Sequence, residues 1–393
     1  MKLRLLLLLF CFTTLLGKGY ATATQTLSLS IEYFSERIDL QYHSSMLIPQ
    51  QVSISEKSMV SFYKSLEKTN YQVFIESIQQ KKEQFNLNDW LTYTLLNEAL
   101  SSIFDQRQLT RKKLTTWFLL SKMGFDTRLT YLDREVNIYA YSRDEVFEVP
   151  MIEDKGRKFV NLTGIREKVK MNKPLYLLNF SPNPKGNSFS FYLNELPELS
   201  PELVEQKYLF PYRDSVYQLT IKADKTIRDI MLAYPIFAED KYLEVPFSKA
   251  LANSLLPQLE QLLVDRSEKE KLELLAAFTR SSFDYREDKK VFGKSKPMIA
   301  DELFHYPYSD CEDRSALYYS LVKQLVDLPM VIVAFSDHLT VGVATQELKG
   351  TAISYRGKKY YICDPTGPAN SSVVGEFPQG YERKSFHIIG SYK

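Results

Sequence analysis

The sequence predicts a multi-domain α+β protein, and three observations lead to this class. The chain has 393 residues, which is enough for two or three domains of ordinary size. Stretches with leucine at helical spacing are followed by runs of β-branched and aromatic residues, so helices come first and strands after. Tyrosine and phenylalanine occur 26 and 24 times, and this abundance favours sheets over a helical bundle.

The first residues have the pattern of a secretory signal. Two basic residues precede an apolar run over 5–16, and Ala21 and Ala23 provide the small residues of a cleavage site after Ala23. The run is too short for a transmembrane helix, and no later stretch is long and apolar enough to be one. We therefore expect residues 1–23 to be a signal peptide and the mature chain to be exported to the periplasm, the cell envelope or the medium. A membrane anchor that is never cleaved is the alternative.

Removal of this segment changes the charge of the protein. Residues 1–23 contain three basic residues and no acidic ones, so the formal charge falls from +2 to −1. A nearly neutral chain is not expected to bind nucleic acid or a membrane surface through its charge. The mature chain keeps two cysteines, Cys311 and Cys363, and each needs its own explanation.

Residues 24–170 are predicted to form an N-terminal α+β domain. A strand-and-loop region is followed by a helical region over 58–104, and a second helix is expected over about 110–123. Thr110 is a suitable N-cap for this second helix, and Gly124 is suited to its C-terminal end. Strand-like runs follow the second helix: "RLTYL", "VNIYAY", "VFEVP" and "KFVNL".

Residues 171–247 are predicted to form a middle antiparallel β-sandwich. Here the helical signals stop, and short β-favouring runs are separated by Pro, Gly, Asn and Asp. The stretch "YQLTIKADKTIRDIML" predicts a hairpin that turns around Ala223, Asp224 and Lys225.

Residues 248–393 are predicted to form the C-terminal domain. Ser267 and Glu270 have the spacing of a capping box, and a further helix is expected after Asp310, ending before Pro329. Four strands should follow, "MVIVAF", "HLTVGVA", "TAISYR" and "KYYICD", before an irregular tail rich in glycine and proline. The order helix-then-strands thus occurs twice, at 110–162 and at 311–364. Either the chain contains an internal duplication, or a common α+β arrangement occurs twice.

Cys311 is the first candidate functional residue. It lies in the first turn of a predicted helix, where unpaired N–H groups and a partial positive charge stabilise a thiolate. Asp310, Glu312 and Asp313 lie beside it, and their negative charge would raise the pKa of the thiol. Asp313 is expected to complement the helix dipole or to pair with Arg314. The alternative for Cys311 is a buried cysteine that acts as a small apolar residue.

His338 and Asp364 are the other two candidates. Strand alternation places His338 on the face of "HLTVGVA" opposite to the apolar residues, and it sends Asp364 and Cys363 in opposite directions. Alone, His338 could be an ordinary surface or core histidine, and Asp364 could be only a turn residue before Pro365. Together with Cys311 they supply the nucleophile, the base and the orienting carboxylate of a cysteine triad.

These local sequences resemble the transglutaminase-like superfamily. "SDCEDRSALYYSLVKQL" resembles its nucleophile helix, "DHLTVGVA" its histidine strand, and "KKYYICDPTGP" its aspartate strand. The resemblance covers roughly 248–368 and includes the helix that ends in "FTRSSFDYR". Leu339 departs from the family pattern, since many members have a small residue and then an aromatic one after the histidine.

The resemblance implies a papain-like Cys-His-Asp enzyme that acts on amide bonds of a protein or peptide substrate. Cys311 would be the nucleophile, His338 the general base and then the acid, and Asp364 the group that orients the imidazole. We expect no cofactor and no metal, and the oligomeric state is open. The first helix-then-strands segment has no cysteine, so as a degenerate copy it would be structural or substrate-binding.

Two alternatives to this enzyme remain open. The chain could be a non-catalytic envelope protein that uses the same fold as a protein-interaction module. In a second alternative, Cys311 forms a disulfide with Cys363, although strand alternation argues against that bridge.

Overall fold

The computed structural model describes residues 25–133, 135–164, 175–367 and 373–393. The predicted signal peptide, residues 1–23, lies outside the described residues. None of the helices in the described part of the chain is long and apolar enough to cross a membrane. The predicted α+β class is confirmed.

The helices, in chain order, are α1 (Glu56–Leu66), α2 (Gln72–Gln84), α3 (Asp89–Ile103), α4 (Leu109–Lys122), α5 (Lys225–Leu232), α6 (Glu239–Glu244), α7 (Lys249–Leu263), α8 (Glu268–Ser281), α9 (Asp288–Val291), α10 (Ala300–Leu303) and α11 (Cys311–Leu325). The strands are β1 (Thr26–Tyr33), β2 (Glu36–His43), β3 (Thr127–Leu132), β4 (Glu135–Tyr141), β5 (Val146–Phe147), β6 (Met151–Asp154), β7 (Arg157–Asn161), β8 (Tyr176–Leu177), β9 (Leu203–Tyr212), β10 (Ser215–Asp224), β11 (Ile236–Phe237), β12 (Asp284–Tyr285), β13 (Tyr308–Ser309), β14 (Met330–Ala334), β15 (Leu339–Val343), β16 (Ala352–Tyr355), β17 (Lys358–Cys363) and β18 (His387–Tyr392).

Two five-stranded antiparallel sheets dominate the architecture, and they share one strand order. The first sheet is ordered β6-β7-β4-β3-β8 and the second β16-β17-β15-β14-β18. Each is preceded by a helix, α4 in the first helix–sheet unit and α11 in the second. The predicted repetition of a helix followed by strands is therefore present in the structure.

The two units also share a hairpin of the same geometry. β6 and β7 are joined by Lys155 and Gly156, and β16 and β17 by Arg356 and Gly357. All four residues have positive φ, between 46° and 77°. Two-residue turns with this backbone match the right-handed twist of the strands, and glycine adopts it without steric cost.

The predicted middle β-sandwich is wrong. Over 175–247 the structure has one two-stranded hairpin, β9–β10, two short strands that pair elsewhere, and the helices α5 and α6. The predicted hairpin turn around Ala223 is instead the start of α5. The side chain of Asp224 caps this helix by accepting the N–H of Thr226. The buried face of the helix is formed by Ile227, Ile230 and Met231.

Part of the same segment is extended without forming a strand ladder. The backbone N–H groups of Phe191 and Tyr192 donate to the carboxylate of Asp144, at 2.6 and 3.1 Å, instead of to a neighbouring strand. Phe189 and Phe191 are fully buried. Their β-like pattern therefore reflects burial of alternate side chains, with the backbone satisfied by a side chain.

The predicted irregular tail is also wrong in its last residues. β18 forms the edge strand of the second sheet and pairs with β14. Alternation in "HIIGSY" is interrupted by a bulge, because Ile332 pairs with Gly390 and Val333 with Ile388, which leaves Ile389 as the extra residue of β18. The end of the chain thus completes the sheet that carries the candidate site.

One apolar core runs through all three predicted domains. It includes Phe118 from the N-terminal segment, Phe210 from the β9–β10 hairpin, and Phe278 and Leu317 from the C-terminal segment. The hairpin packs on α7 and α8, and the side-chain amide of Gln258 bonds both the N–H and the carbonyl of Thr220. The second helix–sheet unit is therefore supported by the middle segment.

Candidate active site

The helix α11 begins at Cys311, as the sequence predicts. Its start is fixed by Asp313, whose carboxylate accepts the backbone N–H of Asp310 at 3.2 Å and that of Met298 at 2.9 Å. Asp313 thus holds the helix start and the preceding loop together, while the guanidinium of Arg314 bonds Ser309, Phe283 and Thr366 instead. The buried Leu317 and Leu321 anchor the helix in the core.

His338 and Asp364 meet across the neighbouring strands β15 and β17. Val341 pairs with Cys363, so this register places Thr340 opposite Asp364 and His338 on the same face as both. Nε2 of His338 lies 3.1 Å from Oδ1 of Asp364, and the hydroxyl of Thr340 donates to the same oxygen at 3.2 Å. The predicted pair of imidazole and carboxylate is therefore formed.

Cys311 lies against the start of the histidine strand. Its thiol contacts the backbone N–H of Leu339, the residue directly after His338. One turn along the helix, the hydroxyl of Ser315 donates to the carbonyl oxygen of Leu339 at 2.9 Å. The structure thus brings the three predicted residues to one edge of the second sheet.

The electrostatics of Cys311 differ from those expected of a helix start. The side chain is 6% exposed, and its S–H donates to the carboxylate of Glu312 at 2.8 Å. Burial, and then the negative charges of Glu312 and Asp310, raise the pKa of the thiol. The expected lowering of its pKa by the helix dipole is outweighed, so the resting form is the neutral thiol.

Removing the charge of Glu312 should make Cys311 more reactive. In Glu312→Gln the thiolate loses its nearest negative neighbour, so the pKa of Cys311 falls and alkylation at neutral pH accelerates by roughly tenfold per unit of pKa. The measurement is the iodoacetamide rate at Cys311 as a function of pH, by mass spectrometry. Glu153→Gln, an exposed glutamate on β6, is the control. An unchanged pH profile in Glu312→Gln would contradict this account.

Two buried arginines support the loop after Asp364, and sequence reasoning missed both. Arg314 donates to the carbonyl of Thr366 at 3.1 Å, to the carbonyl of Phe283 at 2.6 Å and to the hydroxyl of Ser309 at 2.9 Å. Arg280 donates to the carbonyl oxygen of Asp364 itself. The only available signal was spacing, since Arg314 follows Cys311 by three residues and shares its helix face.

Aromatic side chains from the tail cover the histidine. The ring of Tyr381 lies 5.0 Å from the ring of His338, and Phe335 lies 5.0 Å from Tyr381. Lys384 lies over the ring of Tyr381 and pairs with Asp337 at 2.9 Å. The tail therefore restricts access of water to the imidazole, a role that its sequence did not indicate.

A cluster of carboxylates adjoins the cysteine and has the geometry to hold a cation. Oxygen atoms of Asp288, Asp310 and Asp313 lie within 4.8 Å of one another, as do ligand atoms of Asp310, Cys311 and Glu312. Burial raises the pKa of Asp288 to about 6, and burial together with the charges of Asp313 and Glu312 raises the pKa of Asp310. The negative charge of these clustered carboxylates can be neutralised by bound protons or by a bound cation.

The disulfide alternative is wrong, because Cys311 and Cys363 are both free thiols. Cys363 is fully buried, and its thiol faces the carbonyl of Tyr361 at 3.7 Å.

Compared with known proteins, the chain matches no family model, no curated protein and no solved structure. Its function is therefore inferred from the site and from the resemblance in its sequence.

Proposed function

We propose that the protein is an exported cysteine enzyme of the transglutaminase-like type that acts on amide groups of proteins or peptides through a thioester. One observation carries the proposal. The imidazole of His338 is held by Asp364 on the adjacent strand, while the thiol of Cys311 lies against the N–H of the next residue, Leu339. These two contacts support the proposal, because a nucleophile, a base and an orienting carboxylate must lie close together.

The chemistry follows from which nitrogen of the imidazole is engaged. Since Nε2 of His338 is bonded to Asp364, Nδ1 is the nitrogen left to take the proton of Cys311. The thiolate attacks the amide carbon, and the backbone N–H of Cys311 can donate to the oxyanion because the first residue of a helix has no intrahelical acceptor. His338 then protonates the departing amine, and a thioester remains on Cys311.

The second half of the reaction is proposed to be hydrolysis. Water adds to the thioester carbon while His338 takes the proton of the water. The C–S bond then breaks, the carboxylic acid product is released, and His338 returns the proton to the sulfur of Cys311. A lysine amine in place of water would give a cross-link instead. Hydrolysis is favoured because water is the abundant acceptor around an exported protein.

The first helix–sheet unit is proposed to be a degenerate copy of the second. Leu129 pairs with Ile138 as Ile332 pairs with Val341, and the N–H of Leu162 donates to the carbonyl of Ile138. With this correspondence, Glu135 and Thr163 take the positions of His338 and Asp364, and the start of α4 at Leu109 takes that of α11 at Cys311. With no thiol at the helix start, the first unit has a structural or substrate-binding role.

A side-chain hydrogen bond at matching positions of the two units supports this correspondence. Thr163 donates to Asn137 across β4 at 3.2 Å, where the second unit has Thr340 bonded to Asp364 at 3.2 Å. A contact between side chains at matching positions, with different residue types, is what a diverged duplication leaves.

A non-catalytic interaction module is the second candidate function, and one observation favours it. The thiol of Cys311 is buried and bonded to a carboxylate, which suppresses the reactive thiolate. In this alternative the second unit would bind a protein partner in the cell envelope without turning it over.

Two measurements together decide between these candidates. Wild type and Cys311→Ala are incubated with a proteome extract, and new cleavages, ammonia release and cross-links are scored. An enzyme gives at least one of these products, and the product disappears in Cys311→Ala. In parallel, iodoacetamide should label Cys311 far faster than Cys363. The interaction module would be supported if both cysteines were labelled equally slowly and if the extracts treated with wild type and with Cys311→Ala contained the same products.

A further inference from the structure

A cavity of 580 Å³ opens between the β5–β11 strand pair, the start of α6 and the loop over 295–297. The apolar part of its lining includes Phe147, Phe237 and Pro297. Phe147 is 48% exposed, although an aromatic side chain gains most by burial. The volume lies within the range of pockets that bind small ligands or side chains of a peptide.

This cavity adjoins the candidate active site. The loop that lines it continues into Met298, whose N–H is held by Asp313 in the first turn of α11 at 2.9 Å. On the other wall, α6 packs against α11. Glu239 at the start of α6 is close enough to Glu312 that burial and the charge of Glu312 raise its pKa. A ligand in the cavity would therefore lie near the start of α11, the helix that begins at Cys311.

The rim of the cavity is acidic. Glu145, Glu148, Glu239 and Asp240 all line it, and no lysine, arginine or histidine of the described residues does. Within the described ranges, Glu145, Glu148 and Glu239 form no ion pair, while Asp240 pairs with the adjacent Lys241 at 3.3 Å. Three negative charges thus face the cavity without a cationic partner.

A neighbouring lysine does not neutralise this rim. Lys296 follows the lining residue Ser295, but its ammonium is bonded to the buried Glu302 at 2.5 Å. The field at the cavity mouth is therefore attractive to cations and repels anionic segments.

We propose that this acidic groove binds a segment of a protein substrate that carries lysine or arginine beside an apolar side chain. The cationic group would lie on the rim among the glutamates, and the apolar group would cover Phe147. The identification of the segment as a substrate rests on the proposed function, because the groove lies near the start of the helix that carries Cys311. Binding itself follows from charge and apolar complementarity.

The experiment uses the full chain with Cys311→Ala, so that the probe is bound without being processed. The probe is a short fluorescein-labelled peptide in which lysine and valine alternate, and its binding is followed by fluorescence anisotropy. Two comparison peptides replace all lysines by glutamate or all valines by serine. We expect the lysine–valine peptide to bind best and its affinity to fall as salt is added.

Charge variants test whether the groove is the binding site. Combined Glu145→Gln, Glu148→Gln and Glu239→Gln should weaken binding about tenfold, since each exposed ion pair contributes a few-fold. The control removes three exposed glutamates elsewhere, by Glu98→Gln, Glu205→Gln and Glu260→Gln, and should leave the affinity unchanged.

Phe147→Ser separates the apolar contribution. It should weaken the lysine–valine peptide while leaving the dependence of affinity on salt concentration unchanged, because it removes no charge. The proposal is overturned if the groove variant and the charge-matched control bind alike, or if the glutamate peptide binds as well as the lysine peptide. If the lysine peptide binds tightly but Cys311 of the wild-type chain proves unreactive, the groove proposal is supported and the proposed enzymatic function is contradicted.

Discussion

Replacing His338 by alanine should reduce acyl-enzyme formation about 10²–10⁴-fold, the usual contribution of a general base. The thiol of Cys311 is neutral at rest because burial and Glu312 raise its pKa. It therefore depends on a base more than a cysteine that is already ionised. The measurement is the release of p-nitrophenolate from p-nitrophenyl acetate, with acetylated Cys311 detected by intact mass.

The chain offers a matched control for this variant. His387 is exposed on β18 of the same sheet, and His387→Ala should leave the rate unchanged. Equal rates for wild type and His338→Ala would show that the imidazole takes no proton from Cys311. Equal losses in both histidine variants would point instead to damage of the sheet.

The second large effect is expected on stability, from Arg314→Met. Arg314 is 2% exposed and bonds three acceptors on three different segments, at Ser309, Phe283 and Thr366. Methionine fills a similar volume but donates nothing, so buried acceptors are left unpaired. The free energy of unfolding should fall by about 3–5 kcal/mol, since each buried acceptor left without its donor costs about 1–3 kcal/mol.

Urea denaturation followed by circular dichroism measures this loss. Arg286→Met is the control, because Arg286 is exposed and only covers the ring of Tyr308, at 4.0 Å. Its effect should be much smaller. If the two variants unfold at the same urea concentration, the three bonds of Arg314 do not stabilise the site.

The sequence was sufficient to predict the helix and the two strands that position the three candidate residues. Leucines at helical spacing after Asp310 predicted α11, and alternation in β15 and β17 directed His338 away from the apolar face and Asp364 away from Cys363. These are local properties, because the helical and strand periods record which face of an element is buried. Three short segments therefore indicated a shared edge before any contact was known.

Features that depend on tertiary contacts could not be predicted in the same way. The β-like run at Phe189 and Phe191 forms no strand ladder, because after Phe189 bonds Tyr141 the next N–H groups donate to the carboxylates of Asp89 and Asp144. The start of α5 has a β-branched composition, yet the cap at Asp224 and the buried face of the helix decide its structure. In each case a residue from outside the local pattern, or a competing cap, determined the outcome.

The pKa of Cys311 shows the same limit within the site. Its place at a helix start was predictable, and so were its acidic neighbours. Which influence dominates depends on how deeply the thiol is buried, and burial raises its pKa most. Neither Arg280 nor Tyr381 could be placed near the site from sequence, since their contacts join segments far apart along the chain.

The continuous core has a practical consequence for anyone who trims this protein. The rings of Phe210 and Phe278 lie 5.3 Å apart, and those of Tyr208 and Phe304 lie 5.4 Å apart, so the β9–β10 hairpin covers helices that surround the triad. A recombinant fragment that began at residue 248 would leave this apolar surface in water and favour aggregation. Expression clones designed for biochemistry should therefore start before the hairpin.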